Sequence, residues 1–133
     1  MAITAMTDIV QDLNPHIHEF YVNGSTIAGA AVYLSELNGV SMTSNGSQSF
    51  KGVALDNVAD NNYVSVAVPP TVVYMTLSDT ANVSAGTFLM PSTTVGDVVV
   101  ADAGPVTIVG QVEDFYSTSV VRVQLMCIPN SSV

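Results

Sequence analysis

The second half of this chain restates the first. Thr26–Val68 aligns with Val83–Leu125, so that Ala28-Gly29 falls on Ala85-Gly86, Gly39 on Gly96 and Gly52 on Gly110. Asp56 then meets Asp114, and Val64-Ser65-Val66 meets Val121-Arg122-Val123. One inserted residue before Gly104 and one deletion near Tyr116 keep the halves in step. The shared positions are turn glycines and strand valines, so what is written twice is a β scaffold and not a reaction centre. Two copies are too few for a solenoid. Each copy has one apolar face to bury, and a pseudo-symmetric barrel or sandwich buries both.

Short strands separated by turns fit that expectation. Ala30–Ser35, Val40–Thr43, Ser49–Leu55 and Tyr63–Val68 read as strands of the first copy, with hairpin signals at Asn38-Gly39 and Asn45-Gly46. Gly86–Met90, Asp97–Ala101, Val106–Val112 and Ser119–Ile128 repeat the order, with a loop at Glu113–Thr118. Pro69-Pro70 breaks the ladder between the copies, and Thr71–Leu77 reads as a connecting strand. Alternation puts Val121, Val123, Leu125 and Cys127 on one face of the last strand, matching Val64, Val66 and Val68 in the first copy. Gly52 and Gly110 fall inside strands, where glycine is unfavourable unless a bulge or a close backbone approach requires it. The expected fold is therefore all-β, a compact barrel or sandwich of two pseudo-repeated units, about 26–68 and 83–125, within a domain spanning 26–128.

Residues 1–25 lie outside the repeat. Ile3, Met6, Ile9, Val10 and Leu13 have weak helical spacing up to Pro15, and His16–Val22 reads as a short strand ending at Asn23-Gly24. The segment is expected to be an extended arm that docks on a neighbour, with Ile3, Met6, Ile9, Leu13, Phe20 and Tyr21 as partner-binding residues. Residues 129–133 are expected to form a loose tail.

Composition limits the partners. Eleven acidic residues face only Lys51 and Arg122, for a formal charge of −9, and such a surface repels nucleic-acid phosphates and anionic membranes. Hydrophobic residues make up 48% of the chain and charged residues 10%, so a monomer would expose apolar patches. A homotrimer is expected, with a dimer next. Cys127 is alone, so the fold uses no internal disulfide. The first residues lack the basic and apolar regions of a secretory signal, which points to synthesis in a cytoplasm. Four Asn-x-Ser sequons then lose their glycosylation meaning, and those at Asn23 and Asn45 read as turns.

Sites of chemistry are weakly signalled. His16 and His18 point to one side of a strand beside Glu19, but zinc needs three or four ligands and the chain has no further histidine. They read as strand residues; a metal would need remote carboxylates or a trimer axis. Asp56/Asp60 and Glu113/Asp114 occupy equivalent loops, without the spacing of an EF-hand, and read as solvated loop acids. Cys127 lies in a regular strand, where a reactive thiolate is not expected. No catalytic residue, metal or cofactor is assigned.

The run from Ala28 to Leu34, then Phe50–Asp60 and Val64–Val68, resembles small capsid decoration (cement) proteins of tailed bacteriophages. Ile108–Glu113 and Val121–Leu125 resemble the C-terminal part of the same proteins. The resemblance implies a non-enzymatic structural protein on the outer surface of the phage capsid, assembled as a trimer and clamping the major capsid protein lattice. The alternative is a head-fibre or tail-associated module that binds a receptor or carbohydrate.

Overall fold

The structure is a computed structural model that describes residues 9–102 and 104–131. The described residues form ten strands: β1 (Ile17–Val22), β2 (Ala31–Glu36), β3 (Gly39–Met42), β4 (Phe50–Ala54) and β5 (Tyr63–Ala67), then β6 (Val72–Thr76), β7 (Phe88–Pro91), β8 (Val98–Val100), β9 (Val106–Phe115) and β10 (Val120–Ser131). The first five close into a barrel in the order β1-β3-β2-β4-β5, and the rest form a sheet in the order β6-β10-β9-β7-β8. The chain is thus all-β, as the alternation of valines with polar residues led one to expect.

The two sheets share more than strand order. Val32 pairs with Gly52 in the first, and Leu89 with Gly110 in the second. Leu34 faces Val40 as Pro91 faces Val98. The Gly29 amide donates to Ala54 O as the Gly86 amide donates to Val112 O. The extra residue of the second unit lies in the β7–β8 turn and not before Gly104: Leu34 to Val40 is one residue shorter than Pro91 to Val98.

The correspondence also begins earlier than residue 26. β1 pairs antiparallel with β5, Phe20 opposite Val64 and Tyr21 opposite Tyr63. β6 pairs with β10 in the same register, Met75 opposite Val121 and Thr76 opposite Val120. Val22 lies parallel to Val40, and the single parallel bridge Leu77–Val98 repeats that contact. β1 and β6 are therefore first strands of the two units. This corrects the expected arm of residues 1–25 over its described part, because the strand Ile17–Val22 closes the barrel, and the expected connector Thr71–Leu77, because it is β6; residues 1–8 lie outside the described residues. The physical reason is pairing: without β1 the barrel has two open edges, whose unpaired backbone groups need partners.

Inward side chains follow the same plan. Phe20, Val22, Val40, Val64 and Val66 fill the barrel, and Met75, Leu77, Val98, Val121 and Val123 hold the corresponding places in the second unit. The second core continues into the joint between the units, where Ala31, Phe50, Val53 and Ala67 of the barrel wall join it. The β7–β8 turn docks on that wall: the Ala31 amide donates to Gly96 O at 2.8 Å, and the Gly96 amide to Thr43 O at 2.8 Å. Gly96 has φ +77°, and a Cβ there would lie 2.8 Å from Ala30 Cβ, so both backbone and space demand glycine.

Two further expectations change. β9 runs through Glu113 to Phe115, where the sequence pattern predicts a loop, and β10 runs to Ser131, paired with Val106. The end of the described chain is thus a ladder strand up to residue 131, whereas a loose tail from 129 was expected. Residues 132 and 133 lie outside the described residues.

Candidate interaction surfaces

The partner-binding residues expected in the N-terminal segment scatter once folded. Ile3 and Met6 lie outside the described residues. Ile9 is fully buried in the second core, with Val10 packed against it. Val10 bridges Val73, the Gln11 amide donates to Val72 O at 2.9 Å, and the Val72 amide donates to Asp12 Oδ2 at 3.1 Å. The segment before β1 therefore straps the first unit to the edge of β6. The Asn14 amide, and after it the Val72 amide, hold the Asp12 carboxyl below the usual carboxylate range. Phe20 is barrel core at 7% exposure. Ile9 and Phe20 are thus corrected from partner-binding to core residues, since apolar side chains that can reach an interior bury there. Tyr21 meets Tyr63 edge to face at 5.4 Å and donates its hydroxyl to Asn61 at 2.9 Å, pinning the barrel end. Leu13 remains outside, 98% exposed.

The candidate chemical groups serve the backbone. Asp60 accepts the Gly24 amide at 2.9 Å, Asn57 accepts the Ala28 amide at 2.8 Å, and Asp56 and Asp114 each accept the amide of the next residue. Asp60, Asn57 and Asp56 fix loops in this way, their side chains taking the place of a backbone acceptor, while the Asp114 contact lies within β9. The His16 amide donates to Thr71, and the His18 ring lies 6.3 Å from the Phe20 ring. Among the described residues no group of three or more His, Cys, Asp or Glu side chains converges as a metal site would. Cys127 lies on the outer part of β10, its thiol 3.3 Å from Phe50 O, and partial burial of the sulfur raises its pKa while Lys51 works in the opposite direction. Burial also raises the Asp97 carboxyl, beside the β7–β8 turn.

Two surfaces remain. One is concave and polar: a cavity of about 390 Å³ between Gly46 of the first unit and Ser78, Asp79, Met90, Ser92 and Asp102 of the second. The Ser78 and Ser92 hydroxyls bond to each other there at 2.7 Å. The other is the outward face of β6-β10-β9. Tyr74 stands opposite Arg122 across the strands. Tyr74 and Tyr116 meet edge to face at 4.9 Å. The Arg122 Nε donates to Glu113 Oε1 at 3.2 Å. Tyr116 is 49% exposed on this face, while Phe115 pairs with the buried Val121 and points to the other side of the sheet. Reasoning from sequence missed this face because the tyrosines lie far apart in the chain. The available signal was Arg122, the chain's one arginine, in an outward position of the last strand.

Neither a protein-family profile nor a curated protein matches the sequence. Among solved structures, the fold is similar to that of the N base of head fiber gp8.5 in bacteriophage phi29, at 14% identity and a TM-score of 0.63. The likeness covers 90% of this chain and 98% of that one, so it takes in both units.

Proposed function

We propose that this protein is a structural component of a bacteriophage virion, seated on the outer surface of the head. The observation that carries the reading is the shared two-unit architecture, which covers nearly the whole of a head fiber's base. The role of Asp56 and Asp60 in fixing loops supports a non-enzymatic protein. In this reading the protein binds the major capsid protein and, by covering contacts between neighbouring capsid subunits, stabilises the lattice. A small protein achieves this through copy number, each copy burying on the order of 1,000 Å². It assembles with itself as a homotrimer, because Leu34, Leu37, Ile27 and Val95 stand 43%, 100%, 58% and 54% exposed on a surface with little charge.

The test mixes purified protein with bacteriophage heads assembled without it and sediments the mixture. Protein that pellets with heads supports the reading; protein left in the supernatant at micromolar concentration overturns it. Heating decorated and bare heads then separates two roles. A raised disruption temperature marks a lattice stabiliser, while binding without that gain marks the base of a fibre. Light scattering that gives a monomer removes the homotrimer.

A further inference from the structure

The joint inside the chain shows how one unit seats on another. Val73, Met75 and Val109 lie at one end of the second unit. They are buried in one cluster with Ile9 and with Ala31, Val53, Leu55 and Ala67 of the first unit's wall. That end is thus sealed by Ile9 and by the outward side of β2-β4-β5. The registers locate both halves of this joint a second time. Phe20 corresponds to Met75, His18 to Val73 and Lys51 to Val109, so the first unit has an end of the same kind. Among the described residues this end stands open. The His18 ring lies 6.3 Å and the Lys51 Nζ 5.7 Å from the Phe20 ring. The adjoining β2–β3 turn, whose Asn38 carbonyl accepts the Tyr21 amide, carries the exposed Leu34 and Leu37. The other half is the outward side of β7-β9-β10. There the cross-strand row Ala31-Val53-Ala67 is replaced by Phe88-Gln111-Gln124, and Leu55 by Glu113.

We propose that copies of this chain assemble head to tail, the open end of the first unit seating on the outward side of β7-β9-β10 of the next copy. Within the chain an apolar end meets an apolar wall. In the unsealed halves both sides have changed together. Val109 and Leu55 share the buried cluster of the joint, and their counterparts are Lys51, the chain's one lysine, and the exposed carboxylate of Glu113. Glu36, on the β2–β3 turn, finds its opposite charge in Arg122, which bonds Glu113 at 3.2 Å on that wall. Phe88 in place of Ala31 thickens the wall and offers Leu37 an apolar contact, and the turn that meets it is one residue shorter than the β7–β8 turn. Opposite charges matched across the two halves select a second copy as the occupant. The contact is heterologous, so it sets no group against its own copy, and a trimer becomes a closed ring in which each unit sits on the wall of the next. The inference rests on the reading of the protein as a homotrimer.

The experiment follows assembly by light scattering over a range of protein concentrations, at low and high salt, with sedimentation against bacteriophage heads on the same samples. Lys51→Glu and Glu113→Lys each set like charges across the contact. Each is expected to raise the concentration needed for assembly roughly tenfold or more. The two changes in one chain restore opposite charges and should recover most of that loss. Leu37→Ser should weaken assembly, whereas Leu13→Ser, exposed outside both halves, should not. Wild-type assembly should weaken as salt rises. Cooperative melting of each variant establishes that it is folded. Folded single variants that assemble as wild type does, or a double variant no better than either single, overturn the contact and leave the homotrimer standing. A wild-type protein that stays monomeric overturns the homotrimer and the contact with it. Variants that assemble normally but no longer pellet with heads give these surfaces to the capsid, against the proposal.

Discussion

Adding a single methyl group at Gly52 tests the packing of the barrel more sharply than any truncation. A Cβ there would run into the Ala67 carbonyl oxygen and sit 2.7 Å from Val66 Cγ1. Ala67 is itself a ladder residue, paired with Ile17 on one side and Val53 on the other, so its carbonyl cannot move without disturbing both neighbours. Gly110 is the corresponding residue of the second unit, but the first atom in its way is Val123 Cγ1, with Gln124 O at 2.9 Å. The first contact at Gly110 is with a side chain, which a change of valine rotamer relieves at some cost to the core, while the first contact at Gly52 is with a backbone carbonyl held between two strands, which cannot turn away. Overpacking costs about 1–3 kcal/mol. Gly52→Ala is expected near the top of that range and Gly110→Ala near the bottom. At about 4 °C per kcal/mol for a domain of this size, Tm falls by about 12 °C for Gly52→Ala and by about 4 °C for Gly110→Ala. Differential scanning calorimetry, checked by urea titration, measures both. A Gly52→Ala protein melting within about 2 °C of wild type refutes the close-approach argument, and so does a Gly110→Ala protein that is the less stable of the two.

Three further outcomes follow from the packing. Ile9→Ala opens a cavity in the second core and should cost about 2–5 kcal/mol in a denaturant titration; a loss below about 0.5 kcal/mol would show the strap to be dispensable. Deleting residues 1–22 removes β1 and Ile9 together, and circular dichroism should report loss of cooperative melting, whereas an intact melt would return the segment to the role of an arm. Asp97→Asn tests burial of a carboxyl. Because its folded pKa is raised, the native state keeps this proton where the unfolded chain has released it, so stability is lost as pH rises from the ordinary carboxylate value through the raised one. The variant should melt above wild type at neutral pH, with the gap closing as pH falls through the ordinary carboxylate range; a gap independent of pH would assign it another cause.

How much of this was legible in advance depends on whether a feature is local or closes at a distance. The valine alternation of β5 and β10, the hairpin glycines and asparagines, and the placing of Gly52 and Gly110 inside equivalent strands are all local patterns. Backbone conformation and side-chain periodicity act over a few residues, so the all-β class and the succession of the later strands along each half could be read directly. The first strand of each unit could not. β1 and β6 share almost no side chains, His18 against Val73 and Glu19 against Tyr74, and only their pairing with β5 and β10 makes them equivalent. Ile9 illustrates the same limit: an apolar residue before a proline reads as part of an arm until the edge of β6 is there to hold it. The outward face with Tyr74, Tyr116 and Arg122 likewise exists only because three strands distant in sequence lie side by side. The sequence by itself therefore determined a β scaffold written twice. The tertiary structure decided where each copy begins, how the second core extends into the first, and which exposed side chains stand together, because contacts between distant strands depend on register and closure that no local pattern encodes.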